Sequence, residues 1–474
     1  MQPKLNRLLR ALAREGLDVT YDGRVYTVRL QGDSHAPPAE VLLPPELPVE
    51  GKAFQQLAAL AALKHPGGGR VKRVRATPDF HPGDSGVAIG SVVHTEGLVV
   101  PGAVGTDINC GMRLHVADLP VETFLARRDA FVERMKGHYF FGTRDVALGS
   151  RAVEALLRDG LPGWLLETME APLGVVARAD LGQLDRESAR VYLGGALEGD
   201  PAWAPTGLRR EGVVRDPGLA TIGGGNHFVE VQRVEAVMDR ARAWEWGVRE
   251  GQLAFMIHSG SRDMGRHVGN TWRERTRAAW PVGAPLPESG ILPLVEPEQV
   301  REYLRAEATA ANYAFLNRLL LAELLRLTLR ELFGDVEAPL VYDVPHNITL
   351  PWEGGWLARK GACPAEAEQP VIIPGSMGAA SYLMVGQGNA EALASASHGA
   401  GRARSRFSMA RGGADRREEA LGLTGVDCIT LRAERRIEEA PAAYKPIGPV
   451  VASQVEAGIV REVARMAPLM TFKA

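Results

Sequence analysis

The sequence predicts an α+β protein built as one large domain, and three observations carry that expectation. Short apolar runs bounded by glycine-rich turns read as strands. Longer stretches with apolar residues every three or four positions read as helices interspersed among them. Polar residues able to do chemistry recur in glycine-rich loops from about residue 79 to residue 473, so a site built from them draws on nearly the whole chain. Although 474 residues would allow two or three domains, that spread argues for one.

Taken in order, the first residues give a short helix, and DGRVYTVRL alternates like a strand. PPELPVEG reads as a linker into a helix around AFQQLAALAALKH. Residues 1–70 are expected to be a strand and helix segment packed on a main unit spanning 71–474. From about Val71 to Val116 short strands alternate with glycine turns, and VETFLARRDAFVERMKG and SRAVEALLRDG then read as helices. The Pro/Gly/Arg-rich stretch 194–217 is expected to be a surface insertion. Two glycine-rich blocks follow, at 220–231 and 252–269. VREYLRAEATAANYAFLNRLLLAELLRLTLRELFG is the longest predicted helix, closed by Gly334, and reads as a core scaffold. No internal repeat is visible.

With 45% hydrophobic residues the chain can bury a large core. It opens with no signal-peptide-like apolar run and has no stretch near the roughly 20 apolar residues that cross a bilayer. Cys110, Cys363 and Cys428 are too few and too odd in number for a disulfide framework, so a reducing, cytoplasmic setting is expected, with any special cysteine a ligand or nucleophile. The net charge of −2 carries no global signature of a polyanion binder. Phosphate must then be met locally, and the candidates are Lys72, Arg73 and Arg75 together with Arg402, Arg404, Arg406 and Arg411, expected to form one track.

Five residues are candidate metal ligands. Asp107 and Cys110 share the turn-rich VGTDINCGMRL, and His227 follows three glycines. His258 and His346 each end an apolar run, which is how a strand end delivers a side chain into a cleft. Each histidine alone could as well be a hydrogen-bonded core residue. As a set, imidazole and carboxylate suit Mn or Zn, a thiolate can bridge two ions, and two ions can clamp the attacking and leaving oxygens of a phosphoryl transfer.

PDFHPG, GTDINCGMR, GGGNHFVE, HSGSRDMG, the HN of VPHN, RKGA, PGSMGAASY, HGAGR and the terminal lysine, in that order from about Pro78 to Lys473, resemble the RtcB family of 3′-phosphate RNA splicing ligases. The resemblance implies mixed β-sheets with flanking helices around a central metal and GTP cleft. It implies two Mn(II) ions bridged by Cys110, one also held by Asp107 and His227 and the other by His258 and His346. It makes His398 the nucleophile that takes GMP from GTP, and the RNA 3′-phosphate or 2′,3′-cyclic phosphate the end joined to a 5′-hydroxyl. It assigns GTP contacts to Asn226, His227, Glu230, His346, Asn347, Pro374, Gly375, Ser376, Met377, Ser381, His398, Gly399, Ala400, Gly401, Tyr444 and Lys473. Arg262 is a candidate fork for an RNA or triphosphate oxygen, and archease is a candidate activating partner. Asn109 stands where the family commonly has Gly, Ser397 where it has Cys, and Asp263-Met264-Gly265 where it has Gly-Leu-Gly, while PDFHPGDSG lacks the usual aromatic after its glycine. These departures spare every proposed ligand. A two-metal phosphoesterase and a non-catalytic RNA binder are the rival readings.

Overall fold

Two large mixed sheets dominate the fold, and the chain passes between them at the candidate site. The computed structural model describes residues 2–48, 50–410 and 417–474; Met1, Val49 and 411–416, Arg411 among them, lie outside the described residues. One sheet has seven strands in the order Leu17–Tyr21, Val25–Leu30, Ala39–Leu42, Arg70–His81, Ile89–Glu96, Gly355–Lys360 and Asn347–Trp352. The other runs Leu340–Pro345, Gly111–Pro120, Gln252–Ser259, Phe228–Val237, Val460–Lys473, Ser381–Gly386 and Pro370–Ile373, with Cys428–Thr430 as an eighth strand alongside Val460–Lys473.

Burial follows composition strand by strand. Gln252–Ser259, with its unbroken LAFMI, is central and buried on both faces, whereas Leu17–Tyr21 alternates and forms an edge. Ladders are antiparallel except for Ala39–Leu42 on Arg70–His81 and Cys428–Thr430 on Val460–Lys473, which makes both sheets mixed.

The longest helix is Pro297–Phe333, 37 residues with Pro at its first position and Gly334 at φ 80° past its end. It spans about 55 Å and is buried on nearly every side from Ala306 to Leu329, so its polar residues must find partners inside the protein. Arg326 finds Glu187, Glu323 and the Ala338 carbonyl.

Several elements differ from the sequence reading. VETFLARRDAFVERMKG divides into helices Val121–Ala126 and Arg128–Tyr139. SRAVEALLRDG begins a 21-residue helix that continues past a kink at Gly160, whose φ of 76° breaks helical geometry, and through Pro162. The block at 252–269 becomes a strand and the helix Arg262–Ala278. Residues 194–217 hold the end of the 3₁₀ turn Tyr192–Gly195, the turns Pro201–Trp203 and Thr206–Arg209 and the two-residue strand Val213–Val214, and Thr309 of the long helix accepts the Asp200 N–H at 2.8 Å. Among the described residues no helix is long and apolar enough to cross a membrane.

Leu320, mid-helix and fully buried, reports on this core. Leu320→Ala should cost about 2–5 kcal/mol in urea denaturation; a loss below about 1 kcal/mol would show that the surrounding layers collapse onto the gap.

Candidate functional site

The candidate ligands stand in one row because four neighbouring strands end together. Ser259 pairs with Gly111, Pro345 pairs with Gly111 from the other side, and His258 pairs with Phe228. Cys110 and His227 immediately precede Gly111 and Phe228, and His346 follows Pro345, so antiparallel register brings residues up to 236 positions apart to the same edge. His346 is also the crossing point, since Asn347 starts the strand of the other sheet.

The distances are short. Cys110 Sγ lies 3.2 Å from Nε2 of both His227 and His258. Asp107 Oδ2 is 3.0 Å from His227 Nε2, and the Nε2 atoms of His258 and His346 are 3.3 Å apart. Ligand atoms of Cys110, His227 and His258 all fall within 4.8 Å of one another, and all three residues are buried.

Hydrogen bonding tests whether a cation suits this cluster. His227 Nδ1 is 3.1 Å from the Ile222 carbonyl, which can only accept, so Nδ1 carries a proton. A neutral ring then turns the bare lone pair of Nε2 toward the Asp107 carboxylate and the Cys110 sulfur, an arrangement a cation relieves. Burial holds His258 and His346 well below the ordinary imidazole range, and His346 Nδ1 is buried with no hydrogen-bond partner among the described residues. Burial, reinforced by Asp107, pushes the Cys110 thiol well above its usual value, whereas a bound cation favours the thiolate. The donor set fits a metal site.

Two backbone features keep the row open. At Gly223, φ 97°, a Cβ would stand 2.6 Å from His227 Nδ1 and 2.1 Å from an Arg262 nitrogen. Asn109 adopts φ 52°, a conformation asparagine tolerates better than most residues, and its amide donates to the Ala311 carbonyl at 2.6 Å.

A cavity of about 800 Å³ rises from this row. Asp107, Cys110, His258, His346 and His398 line it, as do Asn226, Glu230, Asn347, Pro374 to Met377, Gly399 to Gly401, Tyr444 and Lys473. His227 and Ser381 stand behind the wall, where Ser381 Oγ receives the Gly375 N–H at 3.1 Å and Gln232 Nε2 at 3.0 Å. Arg262 is turned onto Thr221 Oγ1 at 3.0 Å and does not line the cavity. The basic candidates separate. Arg402, Arg404 and Arg406 line the cavity, but Lys72 pairs with Glu96, Arg73 with Glu391, and Arg75 with Glu40 and Glu391, and none of these three reaches it. Among the described residues, Arg402, Arg404 and Arg406 at the cavity are therefore separate from Lys72, Arg73 and Arg75, and the two groups do not form the single track expected from sequence.

Asp79, inside PDFHPG, had no assigned role in the sequence reading, yet it holds His398. Its fully buried Oδ2 is 2.6 Å from His398 Nδ1 and accepts the His398 backbone N–H at 3.2 Å, while Thr77 donates to Oδ1 at 2.5 Å. A lone carboxylate in a strand whose other charged residues are basic was the available signal. The His398 ring lies 4.7 Å from that of His346. Glu439, equally unforeseen, is buried and receives Arg402, Arg406 and the Tyr444 hydroxyl. Lys445 donates to the carbonyls of Pro78 and Phe80, and burial lowers its pKa to about 8. Lys473 is buried against the carbonyls of Gly225 and His227.

Fold and donor row define an α+β protein with a candidate metal centre at the floor of its main cavity. A family model described as tRNA-splicing ligase RtcB matches residues 56–474, and the chain belongs to this family. It is 32% identical to the tRNA-splicing ligase RtcB of Thermococcus kodakarensis over 90% of this chain and 91% of that protein. The tRNA-splicing ligase RtcB of Pyrobaculum aerophilum is 32% identical, covering 84% and 86%, and the RNA-splicing ligase RtcB of Mycobacterium tuberculosis 34% identical, covering 85% and 98%.

Glu230 offers a pH test of the cavity wall. Burial raises its pKa from 4.5 to about 7, although Thr471 and Gln232 donate to it. A folded-state pKa above the unfolded value means the native chain binds the extra proton, so this stability is present below about pH 4.5 and is lost as pH rises through 7. Glu230→Gln should therefore gain on the parent by on the order of 1–3 kcal/mol between pH 5 and 8 in denaturant melts; a constant difference would mean Glu230 is ionised throughout.

Proposed function

We propose that this chain is a GTP- and Mn(II)-dependent RNA ligase that joins RNA 3′-phosphate or 2′,3′-cyclic phosphate ends to 5′-hydroxyl ends, in tRNA splicing or RNA repair, through a guanylate carried on His398. One observation supports it above the others: His398, gripped by buried Asp79, faces the same cavity as the donor row, in a chain of the RtcB family.

In this reading Asp107, Cys110, His227, His258 and His346 would hold two Mn(II) ions, which would supply positive charge beside the phosphates. Bound divalent ions offset the negative charge of phosphate oxygens that otherwise repels a nucleophile. Asp79 keeps the proton on Nδ1, so the lone pair is on Nε2, the atom that attacks the α-phosphorus of GTP. An N–P bond forms and the bond to pyrophosphate breaks, the leaving group taking the electron pair. The RNA 3′-phosphate then accepts GMP from His398, and the 5′-hydroxyl displaces GMP to form the phosphodiester. A cyclic end is first opened by water.

Glu230 and Lys473 bind the guanine end, since both are polar groups buried deep in the cavity. Asn226, Asn347, the Pro374 to Met377 segment with Ser381 behind it, Tyr444 and the Gly399 to Gly401 backbone surround the rest of the nucleotide. Backbone N–H groups in such glycine-rich turns suit phosphate and ribose oxygens. Arg404, exposed at the cavity, meets the RNA backbone, and archease is a candidate activator. Residues 71–474 act as the catalytic unit with 1–70 packed on it, a division supported by the three strands the first segment adds to one sheet.

Labelling with α-³²P-GTP tests the reading. The chain with Mn(II) should retain acid-labile, base-stable label, and His398→Ala should retain none while keeping its metal content; a phosphoesterase would never acquire label. Cys110→Ala should lose metal from both positions by elemental analysis, and full occupancy would remove the thiolate from the centre. Asp79→Asn should slow labelling by on the order of 10²-fold or more, whereas an unchanged rate would leave Asp79 a packing residue.

A further inference from the structure

We infer that Asn317 and Arg318, adjacent on the long helix and outside the donor set, are positioning residues that hold all the donor-bearing segments in place for the cation. The inference rests on the metal reading above and adds to it the element that sets the donor geometry.

Arg318 Nη1 donates to the Asn109 carbonyl at 2.7 Å and to the Ser259 carbonyl at 3.0 Å. Its Nε and Nη2 donate to Asp343 at 3.0 and 2.8 Å. Asn109 precedes Cys110, Ser259 follows His258, and Asp343 lies three residues before His346. One guanidinium thus ties three donor segments to one helix.

Asn317 takes the fourth. Its Nδ2 lies 3.0 Å from the Gly260 carbonyl, 3.2 Å from the Thr221 carbonyl and 2.9 Å from Ser259 Oγ, and its Oδ1 accepts the Thr221 N–H at 3.1 Å. Ser259 Oγ in turn donates at 2.7 Å to the Ile222 carbonyl, the same oxygen that receives His227 Nδ1. The chain of contacts runs from helix to loop to ligand ring.

Both residues are fully buried, so water offers these carbonyls no substitute. They sit at the strand ends, where ladder bonding stops, and a loose edge there would let each donor drift independently. Gly111 shows how close the approach is: a Cβ would stand 2.9 Å from the Arg318 Cζ. Groups that orient metal ligands typically change affinity 10- to 100-fold when removed. A residue that only packs the helix would change stability and leave the donor geometry alone.

Asn312 supplies the comparison. It lies on the same helix, is equally buried, and bonds to the N–H and carbonyl of Leu197, touching no donor segment.

Titration with Co(II) chloride, followed by the near-ultraviolet thiolate-to-cobalt charge-transfer absorption, tests the inference, with thermal melts of the metal-free chain in parallel. Asn317→Ala and Arg318→Lys should melt cooperatively but bind Co(II) about 10- to 100-fold more weakly, with the band shifted or lost even at saturation. Asn312→Ala should lose comparable stability and keep the parent affinity and band. An unchanged band and affinity in Asn317→Ala, or an equal affinity loss in Asn312→Ala, would overturn the inference. If Arg318→Lys does not fold, Asn317→Ala decides, because it removes no charge. A parent chain with no charge-transfer band would instead overturn the metal reading itself.

Discussion

A guanidinium cannot shed its charge, so Arg318, wholly shielded from water, is tolerable in this fold only because Asp343 and two strand-end carbonyls surround it. That requirement fixes where three strands stop relative to the long helix. It also propagates: Asp343 is shared with buried Arg113, whose Nε donates to His115, and His115 packs near Arg326 with its two glutamates. Removing one partner from a core laced with paired charges of this kind leaves a buried charge uncompensated, so these pairs couple the strand ends to the helix.

The same economy of charge shapes the cavity. A chain of net charge −2 must meet a polyanion locally, and its cavity arginines do not all face outward. Arg402 and Arg406 are held by buried Glu439, which keeps their guanidinium groups oriented and leaves Arg404 as the exposed neighbour. Burial lowers the pKa of the cavity lysines Lys360 and Lys473 and also removes water that would compete for an anion. Preset charges of this kind cost nothing to reorganise when phosphate arrives.

Much of the fold was legible residue by residue. The α+β class and the helix Pro297–Phe333 with its closing Gly334 follow from local periodicity and a local stop signal. Less local features were missed: the helix after His258 carries only Met264, Val268 and Trp272 as large apolar residues in a strongly polar stretch, and at the Gly160 kink the carbonyl of Gly195 lies 2.3 Å from where a Cβ would stand. At the site, residue types marked Cys110, His227, His258 and His346 as candidate ligands and the family resemblance marked His398, whereas Asp79 and Glu439 read as ordinary acids until their partners were in place.

By itself, then, the sequence determined which side chains could ligate, attack or cradle a phosphate, because that capacity belongs to each residue. Only the tertiary structure decided which of them meet. Cys110 and His227 are 117 positions apart and Asp79 and His398 are 319 apart, and their contacts depend on strand register, which no local pattern encodes. The structure likewise separated Lys72, Arg73 and Arg75 from the cavity arginines, because carboxylates brought in from Glu40, Glu96 and Glu391 neutralise them where they stand.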